Sequence, residues 1–320
     1  MKPLLYVTRT LPEETIDMLS AHFEVSGWES EETPVPREIL EREIEKVDAL
    51  YCLITDTIDA ALLEKAKNLK VISTLSVGFN HIDIEAAKAQ NIAVTNTPGI
   101  LTDTTADLTF ALLMATARRI PEASEHLRNN EWRSWSLFSL TGRDIHHATI
   151  GIIGFGAIGQ AVAKRAKGFD MNVLYYNRSR KYEAEETLGA SYQELDELLK
   201  KSDFVCILTP YSAETKDLIT ARELKLMKKT AVLINTARGG IVNEDDLYDA
   251  LVHGDIYAAG LDVFAEEPID PDHKLLTLPN LVALPHIGSS TIDTRLGMCR
   301  LAAQNLIDFM QGKRSNIVNG

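Results

Sequence analysis

Three stretches in the second half of the sequence each place a chemically versatile side chain at the end of an apolar run. Arg238 closes Leu-Ile-Asn-Thr-Ala-Arg, Glu267 closes Gly-Leu-Asp-Val-Phe-Ala-Glu-Glu, and His286 directly follows Ala-Leu-Pro. A guanidinium can bind a carboxylate through two hydrogen bonds, an imidazole can transfer a proton near neutral pH, and a carboxylate can orient and charge that imidazole. Alone, each residue could be a surface ion pair, a solvated acid or a hydrogen-bonded core histidine. Their shared position after predicted strands favours one site, because ligands of open α/β sheets bind at the carboxyl edge.

A glycine-rich turn precedes these stretches. Gly154, Gly156 and Gly159 directly follow the strand-like run Thr149–Ile153 and open a helical pattern. In this G-x-G-x-x-G context the first glycine permits a sharp turn, the second lets the backbone approach a pyrophosphate, and the third allows close packing of helix on strand. The helix N-terminus then offers free amides to the anion. The pattern therefore predicts a dinucleotide site rather than an empty turn.

The cofactor type is predicted from the basic stretch Tyr-Tyr-Asn-Arg-Ser-Arg-Lys, residues 175–181. In dinucleotide sites the second strand usually ends in an Asp or Glu that binds the ribose hydroxyls. Here Asn172–Tyr176 leads into Asn177, which does not repel a 2′-phosphate, and Arg178 and Arg180 could pair with one. We therefore expect NADP(H) as the preferred cofactor and NAD(H) as the alternative. The competing interpretation is a solvated basic loop.

Short β-branched runs alternate with helical patterns along the chain, which indicates parallel sheets covered by helices. The rhythm restarts after a long predicted helix, Thr102–Arg119, in which Thr102 or Asp103 is placed to cap the start and arginines occupy the last turn. Two α/β blocks, hence two domains, are expected. The predicted strands are Leu4–Thr8, Ala49–Ile54, Val71–Leu75, Ile92–Thr95, Thr149–Ile153, Asn172–Tyr176, Phe204–Leu208, Ala231–Asn235, Ala258–Val263 and Leu281–Leu284. An amphipathic helix, Thr291–Met310, is predicted near the end of the chain.

Composition excludes several classes of protein. A formal net charge of −13 argues against nucleic acid or an anionic membrane as the main partner. The N-terminal apolar run is too short for a signal peptide, and no run approaches a membrane span. The cysteines, Cys52, Cys206 and Cys299, lie far apart and predict buried thiols in a reducing cytoplasm. No Cys or His spacing suggests a metal site.

The segment Asn129–Gly142 is rich in large apolar residues, including Trp132, Trp135 and Phe138, but shows no regular period. It could be a core loop. It could equally be an exposed arm that docks on a second subunit, and on that interpretation we expect a homodimer.

Taken together, these motifs resemble the D-isomer-specific 2-hydroxyacid dehydrogenase family over essentially the whole chain. The motifs that carry the resemblance include Ser76–Asp83, Asn96–Gly99, the glycine turn, Thr209-Pro210 with Thr215, Asn235–Gly239, Asp262 with Glu267-Pro268, and Pro285–Gly288. Leu75–Ile82 and Leu101–Asp107 are most similar to the glyoxylate/hydroxypyruvate reductase branch. The resemblance implies two doubly wound parallel-sheet α/β domains. These are a Rossmann dinucleotide-binding domain, residues 99–288, and a flavodoxin-like substrate domain, residues 1–98 with 289–320.

The resemblance also implies roles for individual residues. Arg238 would bind the substrate carboxylate with backbone amides of Val77 and Gly78, His286 would protonate the carbonyl oxygen, and Glu267 would keep His286 protonated. Asp262 would meet the nicotinamide amide. The remaining expected cofactor contacts are Gly154, Phe155, Gly156, Ala157, Ile158, Gly159, Asn177, Arg178, Ser179, Thr209, Pro210, Thr236, Ala237 and Gly288.

The expected function is therefore NADPH-dependent reduction of small 2-oxo acids, such as glyoxylate or hydroxypyruvate, to D-2-hydroxy acids. A 2-ketogluconate reductase is an alternative that needs a roomier, more polar cleft. Formate oxidation fits less well, because a glutamine would be expected where Glu267 stands. A nucleotide-sensing corepressor of the same fold is the alternative from a different class; it predicts little turnover and an extended tail.

Overall fold

The chain folds into two compact units, which we call unit 1 and unit 2. Unit 1 comprises Met1–Leu101 with Ser290–Gly320, and unit 2 comprises Thr102–Ser289. The computed structural model describes all residues, 1–320. None of its helices combines the length and apolar character that a membrane span needs.

Unit 1 is built on a five-stranded parallel sheet with the order β2-β1-β3-β4-β5. Every residue of β3 and β4 is buried, because helices cover both faces of the sheet. The strands are β1 Leu4–Val7, β2 Glu24–Gly27, β3 Ala49–Cys52, β4 Val71–Thr74 and β5 Ala93–Thr95. The helices are α1 Glu13–Ser20, α2 Arg37–Ile44, α3 Ala60–Leu63, α4 Ile84–Ala89 and, from the C-terminal segment, α12 Ile292–Met310.

The C-terminal helix α12 is an integral part of the unit 1 core. Thr291 caps it by accepting a hydrogen bond from the amide of Thr294. The Ser73 hydroxyl of β4 donates to the carbonyl oxygen of Ala302 at 2.9 Å. The predicted strands and this helix are therefore confirmed to within a few residues, with Thr291 outside the helix as its cap.

Unit 2 is built on a seven-stranded parallel sheet with the order β12-β11-β10-β9-β6-β7-β8. The strand order reverses between β6 and β9, and this switch point is where doubly wound sheets bind ligands. The strands are β6 Thr149–Ile153, β7 Asn172–Tyr176, β8 Ser191–Tyr192, β9 Phe204–Ile207, β10 Val232–Asn235, β11 Ala258–Leu261 and β12 Leu281–Ala283. The helices are α5 Thr102–Ala117, α6 Ile120–Arg128, α7 Ala157–Ala166, α8 Tyr182–Leu188, α9 Leu195–Lys201, α10 Ala221–Leu226 and α11 Glu244–His253, with 3₁₀ turns at Lys167–Phe169 and Lys274–Thr277.

Helix α5 corrects one detail of the sequence prediction. Thr102 and Asp103 lie in its first turn rather than at the cap, and the helix ends at Ala117. Arg119 has a left-handed backbone (φ 53°) and begins the turn into α6, while its side chain pairs with Glu122 of α6. Arg118 and Arg119 therefore follow the helix instead of occupying its last turn, and α6, which was not predicted, begins directly after them. The predicted fold class, two doubly wound α/β domains, is confirmed.

Candidate active site

The carboxyl ends of β10, β11 and β12 place the three predicted reactive residues in adjacent loops of unit 2. Arg238 follows β10, Glu267 follows β11, and His286 follows β12. These strands are neighbours and run parallel, so the chain leaves all three at the same edge of the sheet. The structure therefore places these three loops side by side, as the sequence predicts.

His286 and Glu267 form a direct pair. The imidazole Nδ1 lies 2.6 Å from Glu267 Oε2, and Glu267 Oε1 accepts a hydrogen bond from the amide of Phe264 at 2.9 Å. Because the carboxylate can only accept, Nδ1 carries a proton and Nε2 is the nitrogen that can exchange a proton with a ligand. His286 has a left-handed backbone (φ 54°), an uncommon conformation that is often found at functional sites.

The pKa of Glu267 shows that this carboxyl is held ionised. Burial raises the pKa of Glu267, but the hydrogen bond and charge of His286, with smaller help from the Phe264 amide and Arg238, lower it below its ordinary value. The ionised carboxyl accepts the hydrogen bond from Nδ1, so the pair can orient the imidazole for proton transfer at Nε2.

Arg238 is a largely enclosed cation in a turn that Asn235 fixes. The Asn235 side chain donates to the carbonyl oxygen of Arg238 at 2.9 Å and accepts from the amide of Ala237 at 3.1 Å. Arg238 Nη1 donates to the carbonyl oxygen of Ala237 at 2.7 Å. Burial lowers the pKa of Arg238, and the charge of Glu267 opposes that effect. An arginine stays charged under such a shift, so the site carries a fixed positive charge suited to a carboxylate.

Asp262 ties the loop after β11 to the turn that carries His286. Its Oδ1 accepts a hydrogen bond from the amide of Ile287 at 2.8 Å, and the side chain is 1% exposed. Burial raises the pKa of Asp262, against the hydrogen bond from Ile287. Its Oδ2 is buried with no hydrogen-bond partner. Such an acceptor fits an amide donor from a bound cofactor. Gly288 adjoins it, since a Cβ there would lie 3.2 Å from Oδ2.

The glycine turn between β6 and α7 has the geometry of a phosphate-binding turn. Gly154 has a φ of +96°, and a Cβ there would lie 2.5 Å from the backbone nitrogen of Thr209. A Cβ on Gly159 would lie 2.2 Å from the carbonyl oxygen of Gly154, so α7 packs directly on the turn. Around Gly156 there is open space, and no side chain caps the ten-residue helix α7, whose first residues are Ala157 and Ile158. These features fit the pyrophosphate of a dinucleotide.

Phe155 differs from the other predicted contacts of the glycine turn, because its side chain is packed in the core. Its side chain is fully buried and stacks on Tyr175, with ring centroids 4.1 Å apart. Its amide donates to Asn177 Oδ1 at 3.1 Å. The residue therefore anchors the turn to β7, and only its backbone borders the space that a ligand would occupy.

In the loop after β7, Arg178 and Arg180 have different surroundings, although the sequence analysis grouped them together. Asn177 also donates through Nδ2 to the carbonyl oxygen of Ser179 at 2.9 Å, and Arg178 and Ser179 are exposed. Arg180, in contrast, makes two hydrogen bonds to Glu185, at 3.0 and 2.6 Å. The structure therefore does not leave Arg180 available to a phosphate.

Thr109 is a residue that the sequence interpretation passed over, and it contacts Thr236, one of the predicted cofactor residues. The hydroxyl of Thr109, on α5, donates to the carbonyl oxygen of Thr105, so Thr236 must be the donor in the 2.6 Å contact between Thr236 and Thr109. Sequence alone could not pair them, because they lie 127 positions apart. Asn235, which the sequence analysis named only as part of a motif, holds the turn of Arg238 through local contacts.

The remaining predicted residues lie at strand ends. Thr209 and Pro210 follow β9, and the Pro210 carbonyl oxygen accepts from the hydroxyl of Thr215 at 2.8 Å. Val77 and Gly78 belong to unit 1, in the loop after β4 at the carboxyl edge of that sheet. No group of three or more His, Cys, Asp or Glu side chains is arranged to hold a metal ion.

Comparison with known proteins agrees with this geometry. Residues 110–288 match the model of the D-isomer specific 2-hydroxyacid dehydrogenase NAD-binding domain. A glyoxylate reductase from Thermococcus gammatolerans is 49% identical over 98% of this chain and 94% of its own length. The chain belongs to the D-isomer-specific 2-hydroxyacid dehydrogenase family.

Solved structures of this family carry both kinds of nicotinamide cofactor. The NADPH-dependent glyoxylate/hydroxypyruvate reductase of Sinorhizobium meliloti, in complex with NADP and malonate, has a TM-score of 0.89 and 30% identity, over 99% of this chain and 97% of that one. The D-lactate dehydrogenase of Aquifex aeolicus, in complex with NAD and lactic acid, has a TM-score of 0.88 and 30% identity, over 99% of this chain and 99% of that one. The overall fold therefore does not decide between NAD and NADP.

The packing of the glycine turn gives a first prediction. Gly159→Ala should lower the free energy of unfolding by at least about 1 kcal/mol, because overpacking against a backbone oxygen exceeds the helix-propensity gain of roughly 1 kcal/mol from Ala. Gly168→Ala is the matched control, since nothing lies within 4 Å of its added Cβ. For Gly159→Ala only, thermal denaturation should show a lower melting temperature and dinucleotide titration a weaker affinity. Equal melting temperatures for the two variants would contradict the close packing.

Proposed function

We propose that the protein is an NADPH-preferring reductase that converts small 2-oxo acids, such as glyoxylate and hydroxypyruvate, to D-2-hydroxy acids. The observation that carries the proposal is the 2.6 Å pair of His286 and Glu267 at the sheet edge that also bears Arg238. The 49% identity to a glyoxylate reductase supports the choice of substrate class. The direct test is NADPH consumption with glyoxylate, hydroxypyruvate and larger 2-oxo acids. Turnover of none of them would refute the proposal.

In this proposal Arg238 binds the substrate carboxylate. Its planar guanidinium can make two parallel hydrogen bonds to the carboxylate, and its enclosure strengthens them. The turn held by Asn235 fixes the backbone from which the guanidinium extends. We also assign the backbone amides of Val77 and Gly78, in unit 1, as donors to the substrate.

His286 acts as the general acid. A reduced nicotinamide cofactor, when bound, would supply the hydride for the carbonyl carbon of the substrate. His286 Nε2 gives its proton to the carbonyl oxygen. The 2-oxo acid thereby gains one hydride and one proton and becomes the 2-hydroxy acid. Glu267 holds the ring through Nδ1 and stabilises its protonated form before the transfer.

Residues of unit 2 would hold the cofactor. The amides of Gly156, Ala157 and Ile158 at the start of α7 would bind its pyrophosphate, and the unpaired Oδ2 of Asp262 would accept from its carboxamide. We assign the other contacts to Gly154, Gly159, Thr209, Pro210, Thr236, Ala237 and Gly288. On this proposal unit 2 is the dinucleotide-binding domain and unit 1 the substrate domain.

NADP(H) preference is proposed from the loop after β7. Asn177 places no carboxylate at the ribose, and Arg178 is an exposed cation that makes no ion pair within the chain. Ser179 adds a hydroxyl donor. These three residues would therefore surround the 2′-phosphate, while Arg180 stays on Glu185.

We also propose that the protein is a homodimer in a reducing, cytoplasmic environment. The apolar segment Asn129–Gly142, here called the aromatic arm, contains no helix or strand, and the preceding helix α6 buries none of its residues. Trp135 and Phe138 are 77% and 79% exposed, which excludes the core-loop interpretation. Exposed apolar surface of this kind favours a second copy of the chain as its partner. Cys52, Cys206 and Cys299 are free thiols, which supports a reducing environment.

Removal of the general acid should nearly abolish turnover. We expect His286→Ala to lower kcat by about 10²–10⁴-fold, the usual contribution of a positioned general acid, while NADPH still binds. Because Glu267 and His286 stabilise each other's charged forms, Glu267→Gln should make reduction fade at a lower pH than in the wild type. The measurements are kcat with glyoxylate across pH and NADPH titration by fluorescence. An unshifted pH–rate profile for Glu267→Gln would argue against the pairing.

Replacement of Arg238, the proposed carboxylate-binding residue, should weaken substrate capture. Arg238→Gln removes charged hydrogen bonds worth about 1.5–3 kcal/mol each, so kcat/KM for glyoxylate should fall at least about tenfold. The KM for NADPH should stay unchanged. Arg238→Lys keeps the charge but not the paired donors, so its kcat/KM should lie between those of the wild type and Arg238→Gln. Wild-type kinetics for Arg238→Gln would remove Arg238 from the site.

The cofactor preference can be tested by a pair of arginine variants. Arg178→Ala should raise the KM for NADPH and leave that for NADH nearly unchanged, because NADH has no phosphate at this position. Arg180→Ala removes the same net charge and is the matched control, since its guanidinium is engaged by Glu185. Combined with Asn177→Asp, Arg178→Ala should reverse the preference. Wild-type kcat/KM should favour NADPH by at least about tenfold, and equal values for both cofactors would contradict the proposal.

The aromatic arm predicts the state of association. The wild type should sediment as a dimer at micromolar concentration, and Trp135→Ser with Phe138→Ser should shift it towards the monomer, because both removed side chains are apolar and exposed. Tyr182→Ser, which removes an exposed aromatic outside the arm, serves as the control. A wild-type monomer under these conditions would refute the arm as an interface.

A further inference from the structure

The loop after β4 in unit 1 has three successive peptide carbonyls that are each fixed by a hydrogen bond. The carbonyl oxygen of Ser76 accepts from the amide of Thr97 at 2.9 Å. That of Val77 accepts from Asn96 Nδ2 at 2.8 Å, and that of Gly78 accepts from the hydroxyl of Ser76 at 2.5 Å. Few surface loops have every carbonyl held in this way, so the loop has a defined backbone orientation.

Fixing these carbonyls also fixes the amides that follow them. The three peptide bonds are trans, so each N–H points opposite to the carbonyl oxygen of its own peptide plane. The amide of Val77 is thereby set by Thr97, the amide of Gly78 by Asn96, and the amide of Phe79 by Ser76. The side chains of Asn96 and Ser76 thus orient the amides of Gly78 and Phe79 without contacting them.

None of these three amides donates a hydrogen bond within the chain. Val77, Gly78 and Phe79 are partly exposed, whereas Ser76 and Asn96 behind them are 4% and 8% exposed. Unpaired donors that buried residues hold in place are available to bind an anion.

Asn96 and Ser76, whose side chains bind two of these carbonyls, are themselves held by hydrogen bonds. The carbonyl oxygen of Asn96 accepts from Asn305 Nδ2 at 2.8 Å, and Asn305 Oδ1 accepts from Asn316 Nδ2 at 2.8 Å. These partners belong to α12 and the segment after it. Asn305 is 1% exposed, so this connection is part of the core rather than of the surface.

A second connection leads from Ser76 to a histidine. Thr74 Oγ1 lies 3.0 Å from Ser76 Oγ and 2.9 Å from His81 Nε2. Because the single proton of Ser76 goes to Gly78, Thr74 must donate to Ser76, and His81 Nε2–H must then donate to Thr74. The hydroxyl of Ser76 is therefore oriented by a chain of donors.

We propose that Asn96 and Ser76 are positioning residues for the substrate carboxylate, and that the donors they orient are the amides of Val77, Gly78 and Phe79. This inference rests on the proposed function, because it takes the 2-oxo acid as the anion. It adds Phe79 to the expected donors. It also assigns Asn96 and Ser76 a role in substrate affinity, although neither side chain needs to contact the substrate.

The experiment compares Asn96→Ala and Ser76→Ala with a matched control. Thr95→Val removes a neighbouring buried hydroxyl that donates to the carbonyl oxygen of Ile72, away from the loop. For both test variants we expect the KM for glyoxylate and the dissociation constant of oxamate, an unreactive analogue, to rise by about tenfold, the equivalent of one hydrogen bond. The KM for NADPH and kcat at saturating glyoxylate should change little. Ser76→Thr, which keeps the hydroxyl, should restore affinity.

Oxamate also tests the donors directly. In the ¹⁵N-labelled wild-type protein with cofactor, oxamate should shift the amide protons of Val77, Gly78 and Phe79, and the shift at Gly78 should shrink in Asn96→Ala. If Asn96→Ala does not fold, Ser76→Ala with its Thr rescue and the wild-type amide shifts decide the question.

The outcomes separate this inference from the function on which it rests. If Arg238→Gln weakens oxamate binding while Asn96→Ala and Ser76→Ala bind it as Thr95→Val does, the positioning role is overturned and the reductase proposal stands. Unshifted amides at all three positions overturn it in the same way. If the wild type reduces no 2-oxo acid and does not bind oxamate, the proposed function fails first.

Discussion

In unit 2, Asn235 pairs with Leu261 and Leu261 pairs with Ala283, so β10, β11 and β12 end level with one another. Because these strands are parallel, the chain must leave each of them at the same edge, and the three loops with reactive side chains start side by side. A slip of one residue in either pairing would exchange the two faces of a strand and shift the loop that follows it. Strands β10 and β11 are buried on both faces, so such a slip would disturb their packing on either side.

Short amide and carboxylate side chains then fix the loops that this register delivers. Asn235 holds the turn of Arg238, Asp262 holds the turn of His286, Asn177 holds the glycine turn, and Asn96 holds the loop after β4. Such side chains have few rotamers to lose and can imitate a peptide group, so they order a loop at small entropic cost. The common sheet edge of Arg238, Glu267 and His286 could be predicted from their place after apolar runs. The contacts of Asp262, Asn177 and Asn96 could not, because their partners lie about 20 residues or more away in the sequence.

The fold could be predicted wherever burial dictates the pattern. Strands β6 and β7 are buried apolar runs and begin and end where predicted, whereas β2 and β8 are short, largely exposed edge strands that offer no such pattern and were not predicted. Helix α6 was not predicted, and the end of α5 was placed two residues late because it depends on the turn at one left-handed residue, Arg119, and not on hydrophobic period. In the same way, the engagement of Arg180 by Glu185 depends on where α8 begins, so composition alone grouped it with Arg178.

The acidity of the chain does not conflict with an anionic substrate. The formal net charge of −13 is spread over the whole protein, and at physiological ionic strength charges more than about 8 Å apart in solvent are largely screened. Arg238 is enclosed, where two unit charges 4 Å apart interact by about 4 kcal/mol at an effective dielectric constant of 20. The local charge therefore outweighs the distant ones. The nearby carboxyls of Asp262 and Glu267 are engaged by the amide of Ile287 and by His286. On the proposed function, Arg238 then supplies the positive charge that a substrate carboxylate requires.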